Sequence, residues 1–296
     1  MKKSSFVLYL FPLLVGGLSC AACASSPVVV GFVLPRMIDG DEGKLAKDPA
    51  DDALRLKLGS YYVMYANAFV QGPAEMLPAS EYEKRDAEKR RAKGLYLRGV
   101  ELLRDGFDRR HPGVNDAYTE GTLDVRLAEL TKDDAALVYW LVAGSLAAFS
   151  IDPLGELQLG LRLPELGALI ARAYELDPDF NNGAIDDFYI LYYGSLPDGL
   201  GRDWEKARVH YERAIAKSGG VAASPYVSWA QAIAIPSQDY PAFEENLTWA
   251  LAVDNGKCKT SEEKLANKIA QKKARYLLEN ADLFIIRGDG DYSEGP

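Results

Sequence analysis

Four stretches of this chain repeat one spacing, a residue followed by another four and then seven positions later: Ala207, Tyr211 and Ala214; Phe243, Leu247 and Ala250; Leu166, Ile170 and Ala173; and Ala92, Tyr96 and Gly99. Steps of four and three put all three residues on one face of an α-helix. The third positions fall at 99, 173, 214 and 250, at intervals of 74, 41 and 36. A unit of about 34 residues, two helices and a turn, accounts for the shorter intervals with small insertions and for the longest with two units. From residue 58 onward apolar residues recur at three and four, which predicts helices over 58–77, 80–109, 116–130, 133–150, 162–176, 183–195, 203–217, 224–234, 239–252 and 262–284. Asp152-Pro153 and Asp177-Pro178 stop helices, Gly219-Gly220 suits a C-terminal cap, and Thr131 and Ser261 suit N-caps.

The run from Arg202 to Ala214 resembles the second helix of a tetratricopeptide (TPR) hairpin, with two small residues for close helix approach and a tyrosine between repeats. Trp140 and Gly144 resemble the first-helix Trp and Gly of the same motif. The expected fold is all-α, a TPR-like solenoid of helical hairpins. Single hairpins cannot bury both faces, so neighbours supply the core and curvature leaves a concave groove or a central channel.

The N-terminus reads as an export signal, with Lys2 and Lys3 ahead of an apolar stretch from Phe6 to Leu18. Gly16-Gly17-Leu18-Ser19-Cys20 resembles the lipobox of bacterial lipoproteins, with Gly17 where a leucine usually stands. That resemblance implies that Cys20 is acylated and begins the mature chain. Cys23 is the second candidate and fits less well, since Cys20 would then occupy its −3 position. Residues 25–56 hold Pro27, Pro35, Pro49 and turn residues around Asp39 to Gly43, and show little periodicity. The expected organisation is a signal peptide over 1–19, a lipidated tether over 20–56, a TPR-like helical domain over 57–287 and a polar tail over 288–296.

Composition narrows the function. The net charge of −9, from 34 Lys and Arg against 43 Asp and Glu, argues against nucleic acid, whose phosphates demand a concentrated basic excess. Three cysteines and two histidines leave little for disulfides or metal ligation, and neither a metal nor another cofactor is expected. Phosphate-loop, zinc-protease and serine-hydrolase motifs are absent, so no catalytic residue is assigned and the chain reads as a non-enzyme. His111 and His210 read as packing or surface residues. Asp186 and Asp187 read as first-turn acids favoured by the helix dipole, against a minor hydrolase reading in which they act as acid and base. Tyr61, Tyr65, Phe188, Tyr189, Tyr192 and Tyr193 are the candidate cavity-lining residues, because a tyrosine's apolar ring and polar hydroxyl suit a wall that admits an amphipathic or apolar molecule.

Four longer runs, Tyr61 to Gln71, Ala87 to Tyr96, Ala173 to Ala184 and Ser224 to Ala230, resemble the TatT family, the TPR-containing T component associated with tripartite ATP-independent periplasmic (TRAP) transporters. The likeness spans about residues 57–285. It implies a lipoprotein of the periplasm, lipid-anchored to an envelope membrane, that self-associates as a homo-oligomer, a trimer by the family pattern. It further implies docking of a TRAP solute-binding protein and transfer of a small, hydrophobic ligand. The alternative is a TPR lipoprotein that scaffolds envelope assembly by binding extended peptides.

Overall fold

The computed structural model describes residues 24–286 except 197, 198 and 200. The signal sequence, Cys20 and the polar tail from 288 lie outside them. Helices account for the secondary structure, and no strand occurs among the described residues. The chain divides into two compact units, one of residues 28–180 and one of 24–27 together with 181 onward.

In the first unit α1 spans Pro27–Leu45. This corrects the expectation of a tether: Val30, Leu34, Ile38, Asp41 and Leu45 recur at three and four and are buried, a helical stripe that the interspersed prolines and glycines obscure. Asp41 pairs with Lys44 at 2.7 Å and Lys57 at 2.8 Å, while Glu42 pairs with Arg98 at 3.0 Å, fastening α1 to its neighbours. The next helix, α2, starts at Asp52 rather than 58, capped by Asp51, whose side chain accepts from Leu54 N at 2.8 Å.

α2 runs from Asp52–Tyr65 through a wider π-turn at Ala66–Gln71 and closes with Gly72–Glu75. It packs on α3 (Tyr82–Arg110). A Cβ on Gly99 of α3 would lie 2.9 Å from Gly59 O and 3.0 Å from Tyr62 Cβ, so glycine is what permits this approach. The stretch expected as one helix over 116–130 is two short ones, α4 (Val114–Glu120) and α5 (Leu123–Leu127), separated at Gly121 with φ +72°. α6 (Ala135–Ile151) follows a turn capped by Thr131, as expected, in a capping box with Asp134. Then come α7 (Leu157–Leu161) and α8 (Leu163–Leu176), the latter ending ahead of Asp177-Pro178. α6 packs against α2, α3 and α8. Residues 132–151 are also long and apolar enough to match a membrane span; half of that window is buried within the fold, as in a core helix.

The second unit contains α9 (Ala184–Ser195), α10 (Trp204–Ser218), α11, α12 (Tyr240–Ala252) and α13 (Ser261–Glu279). α11 begins as Ser224–Trp229, widens into a π-turn at Ala230–Ala234 and ends with Ile235–Ser237. α9 packs on α10 and α11, α11 on α12, and α12 on α13. The N-cap of α13 is Thr260, one residue before the expected Ser261. Its side chain and that of Glu263 complete a capping box, which places the acid at the third helical position where the Ser261 frame puts Lys264.

The repeat phase names core residues in both units. Ala92, Tyr96, Leu166, Ile170, Ala173, Ala207, Ala214, Phe243, Leu247 and Ala250 are all buried. The two π-turns also coincide with a shared motif, Tyr62-Val63-Met64-Tyr65-Ala66-Asn67-Ala68 and Tyr226-Val227-Ser228-Trp229-Ala230-Gln231-Ala232. In each, the wide turn closes on the residue before a proline: Gly72 N donates to Asn67 O ahead of Pro73, and Ile235 N to Ala230 O ahead of Pro236. Proline lacks the N–H of the next α-turn and crowds the carbonyl four residues back, and one extra residue in the preceding turn accommodates both.

Candidate functional site

The second unit carries an open apolar groove of about 440 Å³. α10 contributes Tyr211 and Ile215, Tyr211 from the same face as its buried alanines Ala207 and Ala214. Gly219 and Gly220, at φ +63° and +72°, end α10 and turn the chain back, conformations that favour glycine. Pro225 in the first turn of α11 then places Tyr226, and the last turns of α12 supply Trp249 and Ala252. The aromatic rings brace one another: Tyr211 lies 4.8 Å from Trp229 and 6.1 Å from Tyr226, and Tyr226 lies 5.8 Å from Trp249. The Tyr211 hydroxyl donates to Asn246 Oδ1 at 2.7 Å, and Asn246 Nδ2 donates to Ala242 O at 2.8 Å. Burial, with Tyr226 and Glu245 nearby, raises the Tyr211 phenol, so it stays neutral. Trp249 remains 44% exposed, which leaves its indole free to cover an apolar molecule.

Behind α10 lies a buried polar cluster. Asp186, fully buried, is within 2.7 Å of His210 Nδ1 and accepts from Lys217 Nζ at 2.7 Å. His210 packs against Tyr189 at 4.5 Å and Tyr193 at 5.8 Å, and Lys206 sits 5.3 Å from the Tyr193 ring. Asp187 takes a different partner, the Ser228 hydroxyl of α11 at 2.7 Å. Loss of hydration raises its carboxyl above the ordinary value despite hydrogen bonds from Ser228 and Ser224, and the neighbouring Asp186 charge adds to the rise. One aspartate thus pairs with Lys217 and hydrogen-bonds His210, while burial raises the carboxyl of its twin. Both serve to join helices, a stronger role than the dipole contribution expected for them.

Of the six aromatic candidates, Phe188, Tyr189, Tyr192 and Tyr193 form one ring cluster on α9, with Phe188 stacked on Tyr192 at 5.9 Å and Tyr189 on Tyr193 at 5.3 Å. Tyr61 and Tyr65 belong to the first unit. Tyr61 is fully buried, while Tyr65 is half-buried, stacks on Phe69 at 5.9 Å and accepts from Arg91 Nη2 at 3.3 Å. The groove above is lined by other residues. Tyr211 could have been found as the bulky member of its repeat triad, and Tyr226 as part of a quoted motif; Trp249 gave no comparable signal. His111 packs beside Phe107 at 5.2 Å and shares Asp134 Oδ1 with Arg110, at 3.0 and 3.1 Å. Cys20 lies outside the described residues. Among the described residues no group of three His, Cys, Asp or Glu is placed to hold a metal ion.

A family model described as TRAP transporter T-component matches residues 26–284. An uncharacterized protein of Treponema pallidum (strain Nichols) is 31% identical over 261 residues, covering 87% of this chain and 80% of that protein.

Proposed function

We propose a function from this premise: the chain belongs to the TRAP transporter T-component family. It is a component of a transport system that works outside or at the cell membrane, and its family comprises transporter parts rather than enzymes. Within that role the chain acts without catalysis. It docks the system's solute-binding protein and holds a small apolar ligand during transfer.

The observation that carries this reading is the groove of Tyr211, Tyr226 and Trp249. Its aromatic walls offer dispersion contact, and the phenol of Tyr211 is already committed to Asn246, so the surface suits an apolar group with few polar demands. Within each unit many helices pack on near neighbours in the chain, which supports the TPR-like reading, and surfaces of that kind recognise partners rather than transform them. Acylation at Cys20, a periplasmic location and assembly into a homotrimer complete the proposal, and they rest on the lipobox and the family resemblance.

The test is capture by the full-length protein of the organism's own TRAP solute-binding protein in mild detergent, followed by native mass spectrometry. The expected result is a complex with that protein, and an apolar molecule retained by wild type but depleted in Trp249→Ala. Absence of both the partner and any retained molecule overturns the reading.

A further inference from the structure

The outer face of α1 is apolar where it should be polar. Val28 is 83% and Phe32 66% exposed, one helical turn apart, opposite the buried stripe of Val30, Leu34 and Ile38. Arg36, a further turn on, lies with its guanidinium carbon 3.9 Å from the Phe32 ring centre, and its Nη1 donates to Phe32 O at 2.6 Å. A cation held over an exposed ring, beside aliphatic side chains on one helix face, is the chemistry of a phospholipid interface: the ring and valine enter the acyl boundary while the guanidinium meets phosphate.

The charge pattern points the same way. The chain is acidic overall, yet all 43 Asp and Glu lie from Asp39 onward. Between Ala24 and Ile38 the one charged residue is Arg36. This segment can therefore approach an anionic bilayer without the repulsion that the rest of the chain would meet.

Chain length supplies the occupant. Val28 follows Cys20 by eight residues, a reach of at most about 29 Å when fully extended. Acyl chains at Cys20 would keep α1 at high effective concentration beside the membrane, where even a small patch engages it.

We propose that the Val28–Phe32–Arg36 face of α1 docks on the anionic phospholipid surface and so fixes how the folded body is oriented on its anchor. The inference rests on acylation of Cys20. The acyl chains supply the membrane affinity; the helix face sets the orientation.

The test uses the full-length acylated protein in vesicles of phosphatidylethanolamine and phosphatidylglycerol. A fluorophore is placed at Val28→Cys, which keeps Phe32 and Arg36, with Val209→Cys and Leu283→Cys as exposed controls and the unsubstituted protein as the measure of background labelling. Quenching by nitroxide-bearing lipid should be roughly threefold or more stronger at 28 than at either control, as interfacial burial of this helix face demands. On uncharged phosphatidylcholine that excess should shrink. No excess over the controls, or an equal excess on both lipids, overturns the proposal while leaving the anchor intact. A mature chain that mass spectrometry finds unacylated at Cys20 instead fails the anchor reading on which the proposal rests.

Discussion

Asp186 and Asp187 are adjacent, alike in chemistry and both in the first turn of α9, yet replacing each by asparagine should move stability in opposite directions. Asp186 is fully buried and answers Lys217 and His210 at 2.7 Å each. Asp186→Asn removes the negative charge and leaves the Lys217 ammonium near a neutral amide. Removing one side of a buried ion pair costs about 3–5 kcal/mol, because the carboxylate that offset the desolvation of its cation is gone. At about 2–4 °C per kcal/mol this lowers the melting midpoint by on the order of 10 °C. Asp187→Asn keeps an amide oxygen for the Ser228 hydroxyl and removes a charge that burial penalises. The sign follows from the raised carboxyl: its stabilising contribution is complete below the ordinary carboxylate range and is lost as pH rises through the folded value. Asp187→Asn should therefore match or exceed wild type at pH 7, and the difference should vanish in acid. Thermal melting by circular dichroism at pH 7 and pH 4 measures both variants. If the two substitutions lower stability alike, by the roughly 0.3–1 kcal/mol of a helix-dipole contribution, the burial argument is wrong and the first-turn reading is right.

Gly99→Ala forces a methyl group to 2.9 Å from the Gly59 carbonyl and should cost about 1–3 kcal/mol, whereas Gly94→Ala on the same helix meets nothing within 4 Å and should gain about 0.5–1 kcal/mol; urea unfolding compares them. Trp249→Ala should weaken binding of an apolar fluorescent probe about tenfold, since partial burial of an indole is worth on the order of 1–2 kcal/mol, while Leu283→Ala, outside the groove, leaves it unchanged. Asp134 is opposed by burial, but hydrogen bonds from His111, Thr131 N and Arg110 outweigh it and hold the carboxyl below the ordinary value. Its contribution is present above the ordinary carboxylate range and is lost as pH falls through the depressed value, so the stability gap between wild type and Asp134→Asn, read by urea unfolding, should be full at pH 7 and close in strong acid.

What the sequence made legible was the inward face of each helix. A triad such as Phe243, Leu247 and Ala250 is read from spacing because burial follows the helical period, and all three are buried. The limits have equally physical causes. α1 escaped because Pro35 and three glycines weaken a propensity reading, although its buried stripe at 30, 34 and 38 keeps the period. Gly121 divided a predicted helix because a left-handed residue ends hydrogen bonding whatever the flanking periodicity. The cluster of Asp186 with His210 and Lys217 joins residues 24 and 31 apart, and pairing at that distance along the chain is fixed by which helices meet.

The groove was the least legible feature, because periodicity reports what a helix buries and says little about where neighbouring helices leave a gap. Trp249 shows the difficulty: it adjoins the fully buried Ala250 yet is half-exposed and lines the groove, so the pattern that identifies one hides the other. A second kind of signal was nevertheless present. Tyr62 to Ala68 and Tyr226 to Ala232 share aromatic, alanine and amide positions 164 residues apart, and both fold into a π-turn ahead of proline. A shared departure from regular helix geometry, held by the same residues in two separate units, is more specific evidence of an internal duplication than shared core spacing. Core spacing arises in any amphipathic helix; a widened turn occurs where a local sequence requires it. It follows that the repeat is best traced in this chain through what its helices do irregularly, and that Pro73 and Pro236 mark the ends of corresponding elements.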